Sequence, residues 1–160
     1  MTIAQGDKIP DTTFRKMTDE GPAPVTSDEL FKGRTVALFS VPGAFTPTCS
    51  AKHLPGFVDK AADLKAKGVD EIVCTAVNDA FVMGAWGKSA NADGKVSMLA
   101  DGNGDFVKAL GLTMDGTAGG MGLRGQRFSM IVEDGVVTTL NVEAPREYKV
   151  SSAEHMLGQL

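Results

Sequence analysis

The chain is 160 residues long, the length of one domain at roughly 150 residues each. Hydrophobic residues make up 42% of it and charged residues 22%, which excludes disordered and collagen-like chains. Sixteen Lys and Arg against twenty Asp and Glu give a net charge of −4, so the basic footprint that neutralises phosphates is missing and nucleic-acid binding is not expected.

In chain order, Thr13 to Met17 reads as a short strand and Gly21-Pro22-Ala23-Pro24 as a turn. Thr26-Ser27-Asp28-Glu29 is a capping-box pattern that opens a short helix through Phe31. The near-continuous apolar run Thr35 to Val41 predicts a strand buried on both faces. Pro42 and Gly43 end it. A helix then begins around Thr48 to Ser50, interrupted or kinked by Pro55. Phe57, Val58, Ala61, Ala62 and Leu64 have the spacing of an amphipathic helix from Phe57 to Lys67, capped by Gly68. Glu71 to Val77 is a second buried strand. Asn78-Asp79 caps a helix from Ala80 to about Lys88. Val96 to Ala100 is a strand, Asp101 to Gly104 a turn, and Asp105 to Leu110 a helix stopped by Gly111. The Gly-rich stretch Asp115 to Gly125 is expected to be a loop. Arg127 to Glu133 and Val136 to Val142 flank Asp134-Gly135, a two-residue hairpin signal. Ser151 or Ser152 caps a last helix to about Gln159. This order predicts a single α/β domain, residues 1–160, with a mixed sheet.

The only cysteines are Cys49 and Cys74, too few for a disulfide scaffold, a four-cysteine zinc site or an iron–sulfur cluster. A mixed Cys/His zinc site would need both of them plus His53 and His155, and that spacing fits no compact finger. The N-terminus lacks a basic start followed by an apolar run, so no signal peptide is expected. No apolar stretch approaches the roughly 18 residues of a membrane span. The expectation is a reduced, cytoplasmic chain in which each thiol needs its own explanation.

Cys49 stands where such an explanation is available. Val41-Pro42-Gly43-Ala44-Phe45-Thr46-Pro47-Thr48-Cys49-Ser50 takes a buried strand through a proline-punctuated turn into the first turn of a helix. There the unsatisfied N–H groups and the positive end of the helix favour a thiolate, and thiolate character makes a cysteine nucleophilic and oxidisable. Pro42 stiffens the loop and excludes water. Thr46, three residues before the cysteine, can point its hydroxyl into the same pocket. A lone cysteine is otherwise read as a small buried hydrophobe.

Pro42, Thr46 and Cys49 match the pattern P-x-x-x-T-x-x-C of the peroxiredoxins. Val41 to Ser50, followed by His53-Leu54-Pro55-Gly56-Phe57, closely resembles the type II, peroxiredoxin-five-like subgroup. Gly68 to Ile72, Val77 to Met83, Leu99 to Gly104 and Arg127 to Met130 are similar to the same subgroup, so the resemblance covers nearly the whole chain. It implies a thioredoxin-like fold, with a mixed central β-sheet flanked by helices. It also implies thiol-dependent reduction of hydrogen peroxide and alkyl hydroperoxides, with no metal, flavin or nicotinamide cofactor. By this resemblance Cys49 is the residue oxidised to sulfenic acid, and Arg127 stabilises the thiolate and the charge developing on the peroxide. The Thr46 hydroxyl and the N–H groups near Phe45 and Cys49 hold the peroxide, and Pro42 shields the sulfur. The residues alone leave Arg124 as a competitor of Arg127; the resemblance selects Arg127.

His53 lies one helical turn after Cys49. A Cys/His hydrolase would also need an orienting Asn or Asp and an oxyanion hole, which the sequence does not supply, so His53 is read as a helix-surface or interface residue and His155 as solvent-facing. Cys74, inside an apolar run, is read as an inert core thiol. Some subgroup members carry a resolving cysteine near the C-terminus, and Glu147 to Ala153 has none. An external thiol is therefore expected to close the cycle, glutathione with or without glutaredoxin first and thioredoxin second. By the same resemblance the Ala44-Phe45 loop and the helix after Asn78 edge a homodimer interface, although Phe81, Met83 and Trp86 fit a core stripe equally well. The alternative function is a peroxide-sensing relay that passes oxidation to a partner protein.

Overall fold

The structure is a computed structural model that describes residues 2–160; Met1, where the N-terminal reading and the expected domain begin, lies outside it. Its centre is strand β3 (Thr35–Ser40), parallel to β4 (Glu71–Ala76), which is in turn parallel to β5 (Ser97–Ala100). On the other side β3 pairs antiparallel with β8 (Phe128–Glu133), and β8 with β9 (Val136–Val142). Beyond β5 come β1 (Thr13–Thr18) and, outermost, β2 (Gly21–Thr26), giving the seven-stranded order β2-β1-β5-β4-β3-β8-β9. The central strands are apolar throughout because both faces of the sheet are covered.

Alternation along β3 divides the core. Ala37 and Phe39 face the helices α2 (Leu54–Asp59), α3 (Ala61–Ala66), α4 (Ala80–Ser89) and α6 (Ala153–Leu157), among Phe57, Leu64, Met83, Trp86 and Met156. Val36 and Leu38 face α1 (Ser27–Phe31) and α5 (Asp105–Leu110), among Leu30, Phe106 and Val107. Each fully buried side chain of this size contributes about 1.5–3 kcal/mol. The capping box at Thr26 and Glu29 forms, and Gly111 ends α5 at φ +75°. Asp134 and Gly135 have φ of +47° and +78°, the pair of positive values that a two-residue hairpin turn requires.

Three segments differ from the sequence reading. Gly21 to Pro24 is not a turn but part of β2, paired residue for residue with β1. Pro22 and Pro24 are two apart, so their missing N–H positions fall on one side of the strand, and at a sheet edge that side is unpaired. The Gly-rich stretch is not wholly loop: β6 (Thr113–Asp115) and β7 (Leu123–Gly125) pair antiparallel around one 3-10 turn, Thr117–Gly119. The helix expected from Phe57 to Lys67 is two helices, α2 and α3, divided at Lys60. Ahead of α2, Cys49–His53 is a π-helical turn in which the Leu54 N–H donates to the Cys49 carbonyl, five residues back. The widened register precedes Pro55, which has no N–H to continue an α ladder.

Candidate active site

The turn between β3 and the π-helical turn is tied down at each step. The Ala44 N–H donates to Asn78 Oδ1 at 2.9 Å, so Asn78 anchors this loop while Asp79 alone caps α4 through the Val82 N–H. A Cβ at Gly43 would lie 3.1 Å from Arg124 Nη1 and 3.2 Å from Thr46 Cγ2, so a larger residue here needs both side chains to give way slightly. Phe45 adopts φ +64°, a left-handed conformation costly for a side chain of this kind. The Thr46 hydroxyl donates to the Gly43 carbonyl at 2.7 Å, and the Ser50 N–H donates to the Thr46 carbonyl at 2.9 Å, closing the first helical turn behind Pro47. Proline suits that entry position, where its missing donor costs nothing.

Cys49 is thereby held in the first turn, fully buried, against an arginine that leads into β8, the strand next to β3. Arg127, immediately before β8, donates from Nη2 to Cys49 Sγ at 3.1 Å. Its Nη1 lies 2.8 Å from His53 Nδ1, and its Cζ lies 5.9 Å from the centroid of the Tyr148 ring. His53 is therefore not at a surface. It is buried, tilted against Phe39 and Phe57, with Tyr148 edge-on at 5.1 Å. Its Nε2 lies 2.8 Å from the Ser151 carbonyl. Burial first, and the Arg127 charge second, hold the His53 pKa down to about 3. Ser151 belongs to a loop organised by Glu143, whose carboxylate accepts from the N–H groups of Lys149, Val150 and Ser151 and from the Ser151 hydroxyl. Burial pushes the Glu143 carboxyl up, but these hydrogen bonds together outweigh it and hold it below its ordinary range.

Pro42, Thr48, Arg127 and Tyr148 line a cleft of about 420 Å³ together with Met114, Pro145 and Arg146. A larger cleft of about 890 Å³, bordered by Arg15, Asp79, Phe81 and Asp101, contains none of the four predicted site residues. Arg124, the competitor, is engaged with backbone: Nε donates to the Met121 carbonyl at 2.9 Å, and Nη1 lies 3.4 Å from the carbonyls of Pro42 and Val77. It braces the turn and makes no hydrogen bond to the sulfur. Cys74 is fully buried on β4, on the same sheet face as Cys49, and neither cysteine is in a disulfide. Burial, and then the neighbouring Cys49 sulfur, push the Cys74 thiol well up, which leaves it protonated and a weak nucleophile. Among the described residues, no cluster of three His, Cys, Asp or Glu side chains is arranged to hold a metal ion.

A thiol in the first turn of a helix that follows a central strand, with an arginine from an antiparallel neighbouring strand donating to it, defines a redox-active thiol protein of thioredoxin-like architecture. Residues 4–157 match the Redoxin family. Peroxiredoxin-2E-2, chloroplastic, of Oryza sativa subsp. japonica is 51% identical over 99% of this chain and 73% of its own length. Peroxiredoxin-2B of Arabidopsis thaliana is 48% identical over 99% and 98%. The crystal structure of reduced Prx3 in complex with hydrogen peroxide from Vibrio vulnificus superposes with a TM-score of 0.95 at 56% identity, covering 99% of both chains. The chain belongs to the redoxin family and, within it, to the peroxiredoxins, thiol peroxidases of thioredoxin-like fold.

Proposed function

We propose that this peroxiredoxin reduces hydrogen peroxide and small alkyl hydroperoxides through a sulfenic acid on Cys49 and is regenerated by an external thiol. The observation that carries the reading is the 3.1 Å hydrogen bond from Arg127 to the Cys49 sulfur, since a fixed guanidinium favours both the thiolate and the negative charge that develops on the peroxide. The thiolate attacks one peroxide oxygen; the O–O bond breaks, Cys49 becomes the sulfenic acid, and the second oxygen leaves as water or alcohol after taking a proton. An incoming thiol then displaces hydroxide as water and forms a mixed disulfide with Cys49. A second thiol attacks that disulfide and restores the cysteine.

Pro42 shields the sulfur and Thr46 holds the peroxide. With its hydroxyl proton given to Gly43, Thr46 offers the peroxide an acceptor. Glutathione, with or without glutaredoxin, is the first choice of reductant and thioredoxin the second. The buried, protonated Cys74 supports an external thiol over an internal one, and a cleft of about 420 Å³ beside Arg127 is the size of a small-molecule site. The compartment proposed is the cytoplasm, where glutathione and thioredoxin keep thiols reduced.

The test is peroxide turnover with glutathione plus glutaredoxin in one assay and thioredoxin in another. Cys49→Ser abolishes consumption and Cys74→Ser keeps most of it; full activity in the Cys49 variant overturns the reading. Oxidation without turnover on any thiol would instead identify the peroxide-sensing relay.

The same reading includes a homodimer. Phe45 and Phe81, 54% and 65% exposed, lie on the two segments expected to edge it, and Phe81 stands apart from the buried Met83 and Trp86 of its own helix. Phe81→Glu is expected to shift the sedimentation coefficient to that of a monomer, and an unchanged dimer would exclude this face.

A further inference from the structure

Arg127 serves the sulfur with one nitrogen and spends another on His53, a residue the peroxidase chemistry does not itself require. The partners on either side of the imidazole admit one state only. The Ser151 carbonyl can only accept, so Nε2 carries a proton. The guanidinium can only donate, so Nδ1 is a bare lone pair. We infer that His53, locked as the neutral Nε2–H form, is the positioning residue that orients Arg127 toward Cys49, and that Glu143 holds the lock by ordering the loop that carries Ser151 and Tyr148. This rests on the peroxidase reading of the site.

The geometry supports the role at three points. The guanidinium is planar, so fixing Nη1 on His53 at 2.8 Å also fixes the direction in which Nη2 meets the sulfur at 3.1 Å. The imidazole cannot swing away, because Phe39, Phe57 and Tyr148 surround it. The acceptor at its far side is itself anchored: the Glu143 carboxylate takes four donors from residues 149–151. The charged and titratable groups facing the ring are Arg127 ahead of β8, Glu143 after β9, Tyr148 on the same loop, and Cys49 on its own turn. Arg127 is the one placed to repel a protonated ring, and protonation would remove the lone pair that Arg127 uses.

The test pairs His53→Leu, which removes the acceptor, with His53→Asn, whose Oδ1 falls near the position of Nδ1, each made alone and on Arg127→Ala. Two readouts apply: the second-order rate of Cys49 oxidation by hydrogen peroxide in a single turnover, followed by emission of Trp86, and the rate of Cys49 alkylation by iodoacetamide at neutral pH. Trp86 is the only tryptophan, and its indole N–H donates to Ser50 Oγ beside the cysteine. His53→Leu is expected to slow both reactions about ten- to a hundredfold in the parent and less than about twofold on Arg127→Ala. His53→Asn is expected to restore most of the loss. Equal slowing in both backgrounds, no slowing in the parent, or failure of Asn to rescue would overturn the inference.

If His53→Leu does not fold, Glu143→Gln, which keeps the size of a buried side chain, carries the same comparison, and a loss that persists on Arg127→Ala overturns it. Alkylation needs no peroxide, so a parent chain that ignores peroxide while the alkylation pattern holds would refute the peroxidase reading alone.

Discussion

At the scale of single residues, the site depends on one guanidinium doing two things. Arg127 reaches His53 and Cys49 from different nitrogens, and an ammonium on a flexible stem cannot reproduce that fork. Arg127→Lys is therefore expected to slow Cys49 oxidation by about a hundredfold although the charge is kept; a change of only a few fold in stopped-flow Trp86 emission would mean that charge alone suffices. The grouping of Cys49, Thr46 and Pro42 around one turn is legible because all three fall within residues 42–49. Arg127 needed a family resemblance to separate it from Arg124, since two arginines three apart before a strand look alike in one dimension. His53 was visible but misplaced. A histidine one turn after the cysteine has the same spacing whether that face is solvated or buried, and only the loop folded over it by Glu143 decides. Glu143 carries no signal, because its partners are the backbone N–H groups and one hydroxyl of a loop.

At the scale of elements, α4 packs on β1 and β5 at two positions that lack a side chain. A Cβ at Gly84 would come within 2.9 Å of Met17 Cβ, and one at Gly87 within 2.6 Å of Met98 Cγ. Mid-helix glycine costs about 0.5–1 kcal/mol relative to alanine, so propensity alone says that Gly84→Ala stabilises. The contact says otherwise: Met17 Cβ is fixed to the backbone of β1, and overpacking costs about 1–3 kcal/mol. A net destabilisation, read as a lower urea midpoint with unchanged slope, is expected; a higher midpoint would mean that α4 can shift outward. The apolar stripe of α4 does not distinguish buried Met83 and Trp86 from exposed Phe81, and Gly21 to Pro24 carries turn composition because an edge strand tolerates what an inner strand cannot.

At the scale of the molecule, buried ionisable groups set the response to acid. Folded His53 stays neutral down to about 3, against an ordinary value of 6.5. Between those values the unfolded chain binds the extra proton, so stability falls as pH drops through that window. Glu143, held below its ordinary range, acts in the same direction: its contribution is full above the unfolded value and is lost as pH falls. Asp101, pushed up by burial against the hydrogen bonds from Phe106 and Val107, opposes them. The urea midpoint is expected to fall steadily from pH 7 to pH 4.5, with a smaller fall in His53→Asn; parallel profiles for the two proteins would mean that His53 does not titrate on unfolding.

Strand runs, caps, hairpin turns and the Pro-Thr-Cys segment are encoded by neighbours in the chain, so the class of fold, the family and the setting of Cys49 at a helix entrance are legible in the sequence. Only the folded chain brings Arg127 to the sulfur and to His53 from separate nitrogens, and locks His53 between a guanidinium and a carbonyl. Those outcomes depend on groups 74 to 98 residues apart. Their meeting is set by the order of strands in one sheet and by the closure of a loop over it, neither of which any local pattern records.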